Sequence, residues 1–403
     1  MSAVPQHDSA YSWARLAVTL AVATVGSVGI WAPVTVLPAM QADFGVDRGD
    51  ASLPYTAAMI GFALGNLVIG RLVDRFGIAV ALAGAGAMAG LGFASAALTP
   101  SLTVVTAMHL AVGLGAAACF GPLLADISHW FLARRGIAVA VAASGNYLSG
   151  AIWPMILAGV QDEHGWRGTY LVLAAAVPAV VLPLAYLLRR RVSEETAASA
   201  TTAAARMAQS VALSPRALTA LLALSGVSCC VAMAMPQVHI VAYCADLGYG
   251  PAVGAEMLSL MLAGGVASRL VSGWLADRLG GLRTLLLGAV LQALALMLFL
   301  PFDGLASLYA LSLVFGLAQG GIVPAYAIIV REYLPPQEAG ARVGLVIFAT
   351  ILGMALGGWM SGRIHDLAGG YMLAFVNGIA WNLVTVAIAA GLLLSVRPRP
   401  AIG

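Results

Sequence analysis

The sequence predicts an all-α membrane protein whose twelve transmembrane helices form two pseudo-symmetric six-helix bundles. Three observations predict it: a composition that water cannot solvate, twelve apolar runs of spanning length, and a motif that recurs half a chain apart. Of 403 residues, 61% are hydrophobic and 9% charged, against about 25% charged in an ordinary soluble domain. No window outside the tails and short loops is polar enough to form a water-facing domain surface, so lipid solvates most of the chain.

A helix crossing the hydrocarbon core takes about 20 mostly apolar residues. Such runs lie near 15–40, 51–73, 78–98, 102–125, 137–160 and 168–188, and again near 216–243, 254–276, 282–301, 305–330, 341–361 and 372–395. Between the sets, RRRVSEETAASATTAAARMAQS (Arg189–Ser210) is the longest polar segment and reads as a linker. The expected division is a tail at 1–14, a bundle at 15–190, a linker at 191–214, a second bundle at 215–396 and a tail at 397–403.

All 20 basic residues are Arg. With the N-terminus cytoplasmic, sixteen fall on the cytoplasmic side, Arg48, Arg167 and Arg363 fall outside, and Arg269 stays in the membrane. That bias follows the positive-inside rule for an even number of spans with both termini cytoplasmic. The N-terminus lacks the basic region and small-residue cleavage site of a secretory signal, so the first apolar run is expected to stay in the protein. The Arg-only, Ala-rich composition suggests a bacterial inner membrane.

Several function classes fall away. A scattered net charge of +3 is no footprint for nucleic acid. The four cysteines, Cys119, Cys229, Cys230 and Cys244, have no metal-binding spacing and read as small buried hydrophobes. No metal site or cofactor is expected. Gly61/Gly65, Gly113/Gly115 and Gly353/Gly357 read as helix contacts rather than phosphate loops, since no strand precedes them and a chain without Lys has no Walker lysine. ATP hydrolysis is thereby excluded as the power source, leaving an ion or solute gradient. Asp, Glu and His are too sparse within the spans to build an enzyme site. The alternative of another class is a non-transporting membrane receptor for an organic anion; its mark would be an added signalling domain, which neither terminus is expected to hold.

The halves echo each other. GRLVDRFG (Gly70–Gly77) and GWLADRLG (Gly273–Gly280) share Gly-x-x-x-Asp-Arg-x-Gly 203 residues apart, and QDEHGWRGTY (Gln161–Tyr170) and HDLAGGYMLA (His365–Ala374) match at an offset of 204. Two matches at nearly one offset argue for a duplicated six-helix unit. With its twelve spans, central loop and paired motif, the chain resembles the major facilitator superfamily over essentially its full length. Gly70 and Gly273 are expected to let a helix approach closely, while Asp74 and Asp277 face the N-terminal end of a neighbouring helix. With Arg75, Arg278, Gly77 and Gly280 they would brace the cytoplasm-closed state.

Within that superfamily, HWFLARRGIAVAVAASGNYLSG (His129–Gly150), MPQVHIVAYCADLGYGP (Met235–Pro251) and GGVASRLVSGWLADRLGG (Gly264–Gly281) resemble the monocarboxylate porters and the related oxalate/formate antiporters. The eleventh-span stretch GLVIFATILGMALGGWMSG (Gly344–Gly362) lacks the second cation of the oxalate exchangers, which disfavours a dicarboxylate. Gly265 stands where animal monocarboxylate transporters carry an Asp one turn before the arginine, leaving proton coupling without its usual partner.

Arg269 is the residue whose position demands a reason. A guanidinium near a helix centre costs about 2.5–3.5 kcal/mol on insertion scales and more in other treatments, so it should face the bundle interior. No Asp or Glu occupies the predicted core of any span. A carboxylate substrate would neutralise it through two parallel charge-assisted hydrogen bonds. His239, three residues after Pro236, is a candidate to bind substrate or carry a proton; His109 is the other histidine within a span. Resemblance and polarity together place Tyr326, Phe348, Tyr147, Trp31 and Cys119 in the pocket wall. The expected function is a secondary carrier, first of lactate or pyruvate with a proton, and next by exchange of carboxylates or carriage of larger keto or aromatic acids. A monomer in the bilayer is expected.

Overall fold

The computed structural model describes residues 7–131, 134–190, 213–334 and 336–395. All but the last two residues of the expected linker, and the C-terminal tail, lie outside the described residues, as do the side chains of Asp74 and Asp277. Among the described residues every regular element is a helix.

Eleven of these stretches are long and apolar enough to cross a membrane. Ala10–Thr35, Arg48–Val73, Ile78–Leu98 and Leu102–Ser128 are the first four spans. The next, Gly136–Leu187, is 52 residues, too long for one crossing at 1.5 Å per residue. It breaks at Gly165, whose φ of 67° and ψ of 176° lie where only glycine sits without strain; the fifth and sixth spans are the two arms. Pro215–Asp246, Pro251–Ala276, Gly281–Leu298, Leu305–Tyr333, Gly340–Ala368 and Met372–Ser395 complete the twelve. The first helix starts at Ala10 rather than near 15, because the Ser9 hydroxyl caps it by accepting from the Ser12 amide at 3.3 Å.

The expected small-residue contacts are present. A Cβ on Gly61 would overlap the Leu110 carbonyl, and one on Gly113 the Ala58 carbonyl, so the second and fourth spans meet backbone to backbone. Gly353 and Gly357 let the eleventh span meet the seventh at Val227 and Val231 in the same way. Gly113→Ala is therefore expected to abolish recovery of folded protein, measured as a monodisperse peak in detergent, whereas Gly70→Ala leaves recovery unchanged.

That contrast arises because Gly70 and Gly273 face open space: a Cβ at either would meet nothing within 4 Å. The close approach expected there is not made. The reason is how the bundles meet. On the face opposite the termini, Asp366 accepts from the Arg48 and Gly49 amides at 2.9 and 2.8 Å, and the Arg48 guanidinium binds Asp246 and Tyr371 at 2.8 and 2.7 Å. Midway down, the second span meets the eleventh through Thr56 Oγ1, which donates to Ala355 O at 3.3 Å. At the terminal face the described polar ties join residues of one bundle: Arg15 with Asp126, Arg342 with Thr219, and the Gly281 amide with Glu332. The bundles are thus pinned at the far face, and the motif glycines at the terminal ends of the second and eighth spans have no neighbour across the interface. Gly77 and Gly280 do have a local role, ending those helices at φ 87° and 81°. Arg75 stacks on Phe76 and Arg278 on Trp274.

A second core lies at the terminal face. Arg15 is buried and bidentate to Asp126 at 2.8 and 2.9 Å, with Nη2 also donating to Leu188 O and the guanidinium over Trp130. The pair joins the first, fourth and sixth spans. Removing one partner of a buried pair strands the other charge, so Asp126→Ala should cost about 3–5 kcal/mol of stability. A clear fall in the thermal midpoint of detergent-solubilised protein is the expected result.

Candidate functional site

Three chain segments meet at the bundle interface: the fifth span, the eighth, and a break in the tenth. The tenth span stops as a helix at Gln319 and restarts at Ile322. Gly320 allows the break to press against the eighth span, because a Cβ there would overlap the Gly265 carbonyl. The fourth span breaks at the corresponding place of the first half, between Ala118 and Gly121. Helix interruptions at matching positions of two repeats mark the binding region of many carriers, since they expose backbone groups midway across the bilayer.

Arg269 projects into this junction and is 7% exposed. Its Nη1 donates to Ala143 O of the fifth span at 2.6 Å and its Nε to Gly320 O at 3.4 Å. Its Cζ lies 4.0 Å from the Tyr147 ring centroid. Among the described residues no ion pair to Arg269 is present. Carbonyl dipoles and an aromatic face therefore solvate the charge without neutralising it. Tyr147 also bridges the halves, its hydroxyl donating to Gln319 Oε1 at 3.2 Å.

The structure brings only some of the sequence candidates to this place. Trp31 is next to it: its Nε1 donates to Asn146 O at 3.0 Å, and its ring packs on Gly150, one turn from Tyr147. Tyr326 is fully buried and bonded to Ser225 at 2.9 Å and Cys229 at 3.3 Å. Phe348 lies half-buried on the eleventh span. Cys119 packs against Gly26 of the first span inside the N-terminal bundle.

His239 is elsewhere. The eighth span passes Ile240 and Val241 at Gly254, fifteen residues before Arg269, which is about 22 Å along the axis. His239 Nε2 donates to Gly358 O at 2.7 Å, so Nδ1, 3.0 Å from the Tyr371 hydroxyl, accepts from it in the neutral ring. Tyr371 also accepts from Arg48, and burial raises its pKa while the Arg48 charge opposes that rise. His239 thus belongs to the far-face cluster of Arg48, Asp246, His365, Asp366 and Tyr371. His109 is satisfied within the N-terminal bundle by Val105 O at 2.8 Å and Tyr170 at 2.9 Å.

Two residues at the bundle interface were not apparent from the sequence. Tyr55 of the second span is fully buried against Gly358 with its hydroxyl unbonded, and Gln319 is fully buried with Nε2 unbonded. Gln319 precedes a Gly-Gly pair inside an apolar run, a signal for a break in a span. Nothing in the sequence around Tyr55 marks it.

Two six-helix halves about an unpaired central cation define a class of membrane carrier, and comparison with known proteins gives the family. The Major Facilitator Superfamily profile matches residues 19–254 and 233–403, and the chain belongs to that family. It is 28% identical over 336 residues to Monocarboxylate transporter 13 of Rattus norvegicus, covering 83% of this chain and 76% of the relative. It is also 28% identical over 321 residues to Monocarboxylate transporter 11 of Homo sapiens, covering 76% and 66%. A bacterial homologue of the human lysosomal transporter Spinster, solved in an inward-facing and occupied conformation, shares the fold with a TM-score of 0.77 at 14% identity, covering 98% of this chain and all of that one.

Proposed function

We propose that this protein is a secondary carrier of a small monocarboxylate, lactate or pyruvate with a proton being the first substrates to test, and that Arg269 is the carboxylate receptor. The observation that carries the reading is a buried guanidinium at the bundle interface whose described partners are two carbonyls and a tyrosine ring. A carboxylate supplies the missing charge and two acceptor oxygens in the geometry of a guanidinium fork. The kinship with monocarboxylate transporters supports the same substrate class.

In this reading the halves at 15–190 and 215–396 rock about the site, joined by the cytoplasmic linker 191–214, in a bacterial inner membrane. The terminal face is cytoplasmic, and the far-face cluster around Arg48 closes the outside. Bound anion neutralises Arg269 and lowers the energy of the occluded state, while an empty site retains an uncompensated charge. The test is uptake of labelled L-lactate into proteoliposomes, with and without an acidic exterior. Uptake stimulated by the gradient and lost in Arg269→Gln is expected; equal uptake by the variant overturns the reading.

A further inference from the structure

We infer that Gln319 is a specificity-determining residue of the Arg269 site: its amide Nε2 donates to an oxygen on carbon 2 of the bound acid, so that 2-hydroxy and 2-oxo acids are selected over acids with a bare methylene there. The inference rests on the reading of Arg269 as carboxylate receptor and adds to it the recognition of the rest of the substrate.

The geometry comes from three facts. Gln319 is the last residue of its helix, and the next carbonyl, that of Gly320, accepts from Arg269 Nε. The break that exposes that carbonyl therefore also sets the Gln319 side chain beside the guanidinium. Second, Tyr147 holds both groups at once. Its hydroxyl donates to Gln319 Oε1 while its ring lies against Arg269. With Oε1 engaged as the acceptor, the amide nitrogen is the end left to donate.

Third, that nitrogen is buried and unpartnered, and it faces Gly265. A Cβ on Gly265 would lie 3.5 Å from Nε2 and 3.0 Å from the Tyr147 ring. Gly265 is four residues before Arg269, on the same face of the eighth span. Gly265 has no side chain to reach or shield Nε2, and a Cβ there would already crowd the Tyr147 ring. Native structures rarely leave a buried donor unpaired, and a ligand oxygen is one way of satisfying it. Beside a cation that takes the carboxylate, the oxygen within a short acid's reach is the one on carbon 2. A neutral amide suits it, because it donates to a hydroxyl or a ketone without competing for the carboxylate charge.

The test is direct binding to purified full-length protein in nanodiscs, using two matched pairs: L-lactate against propionate, and phenyllactate against 3-phenylpropionate. For wild type, the oxygenated member of at least one pair should bind roughly five- to tenfold more tightly, as one hydrogen bond to a buried donor implies. Gln319→Met, which keeps the length and removes the donor, should bring that acid down to its partner while leaving the partner's affinity unchanged. Should the methionine variant not fold, Gln319→Leu, which also lacks the donor and adds no charge beside Arg269, must likewise lose the preference. A wild type that prefers neither oxygenated acid, a preference that survives in the variant that folds, or equal weakening of both members by methionine each overturns the proposal. Arg269→Gln separates this from the parent reading. Loss of every acid in that variant with an unaltered preference in Gln319→Met removes only the Gln319 role, whereas undiminished binding in Arg269→Gln removes the receptor itself.

Discussion

Arg269→Gln should weaken carboxylate binding by at least about 100-fold and abolish concentrative uptake. Each charge-assisted hydrogen bond is worth about 1.5–3 kcal/mol, and glutamine keeps neither the charge nor the fork. Arg269→Lys should fall between, since an ammonium restores the charge but not the bidentate geometry. The fold should survive, because the described partners of Arg269 are the Ala143 and Gly320 carbonyls and the Tyr147 ring, and Gln can donate to a carbonyl. Isothermal titration with L-lactate and the oxygenated acids above, checked by the elution profile of each variant, measures both effects. Wild-type affinity in Arg269→Gln would sink the assignment.

The second large effect is expected at the far face, where Arg48→Ala should open the closed end. Arg48 is the hub that ties the halves. Its guanidinium donates to Gln41 at 2.5 Å within its own bundle, and to Tyr371 and Asp246 in the other. His365 stands 3.3 Å from the same Asp246, and Arg363 lies 3.9 Å from Asp47. Alanine removes a donor from the buried Tyr371 hydroxyl and one from the Asp246 carboxylate, and a stranded partner of this kind costs about 3–5 kcal/mol when fully buried. Asp246 is partly exposed, so solvent screens a share of that. Each 1.4 kcal/mol that remains multiplies the open population tenfold.

The measurement is the rate at which a bulky, membrane-impermeant thiol reagent labels Thr56→Cys, a position between the second and eleventh spans where the threonine now bonds Ala355. The four native cysteines are buried and free, giving a low background. Labelling in the Arg48→Ala background should rise by at least about tenfold, and Asp366→Asn, which weakens acceptance of the Arg48 and Gly49 amides, should raise it by less. An unchanged rate in Arg48→Ala would show that apolar packing alone closes that end.

Much of the architecture was legible because hydropathy and length act locally. A run such as 78–98 can only be satisfied by a helix in lipid, and the structure has Ile78–Leu98 there. Gly165 was harder to see: the segment from Gly136 to Leu187 reads as two apolar runs with QDEHGWRG between them, yet the helix continues up to a single residue at positive φ. The role of Gly77 and Gly280 as helix ends came only with the structure, where they sit at φ 87° and 81°. Arg269 stood out in the sequence, a charge being costly in lipid whatever surrounds it.

His239 and Gln319 mark the boundary between what each level of description decides. By itself, the sequence determined a twelve-span, twofold-repeated bundle and singled out one unpaired cation, because the free energy of a peptide or a charge in hydrocarbon depends on the segment that carries it. Tertiary structure alone decided which polar groups share the cation's surroundings. It placed His239 in the far-face cluster, set Gln319 and Tyr147 beside Arg269, and left Gly70 and Gly273 facing open space. Those outcomes depend on how two bundles rotate against each other, and hydrogen bonds across such an interface form between residues more than a hundred positions apart, on which the local sequence has no hold.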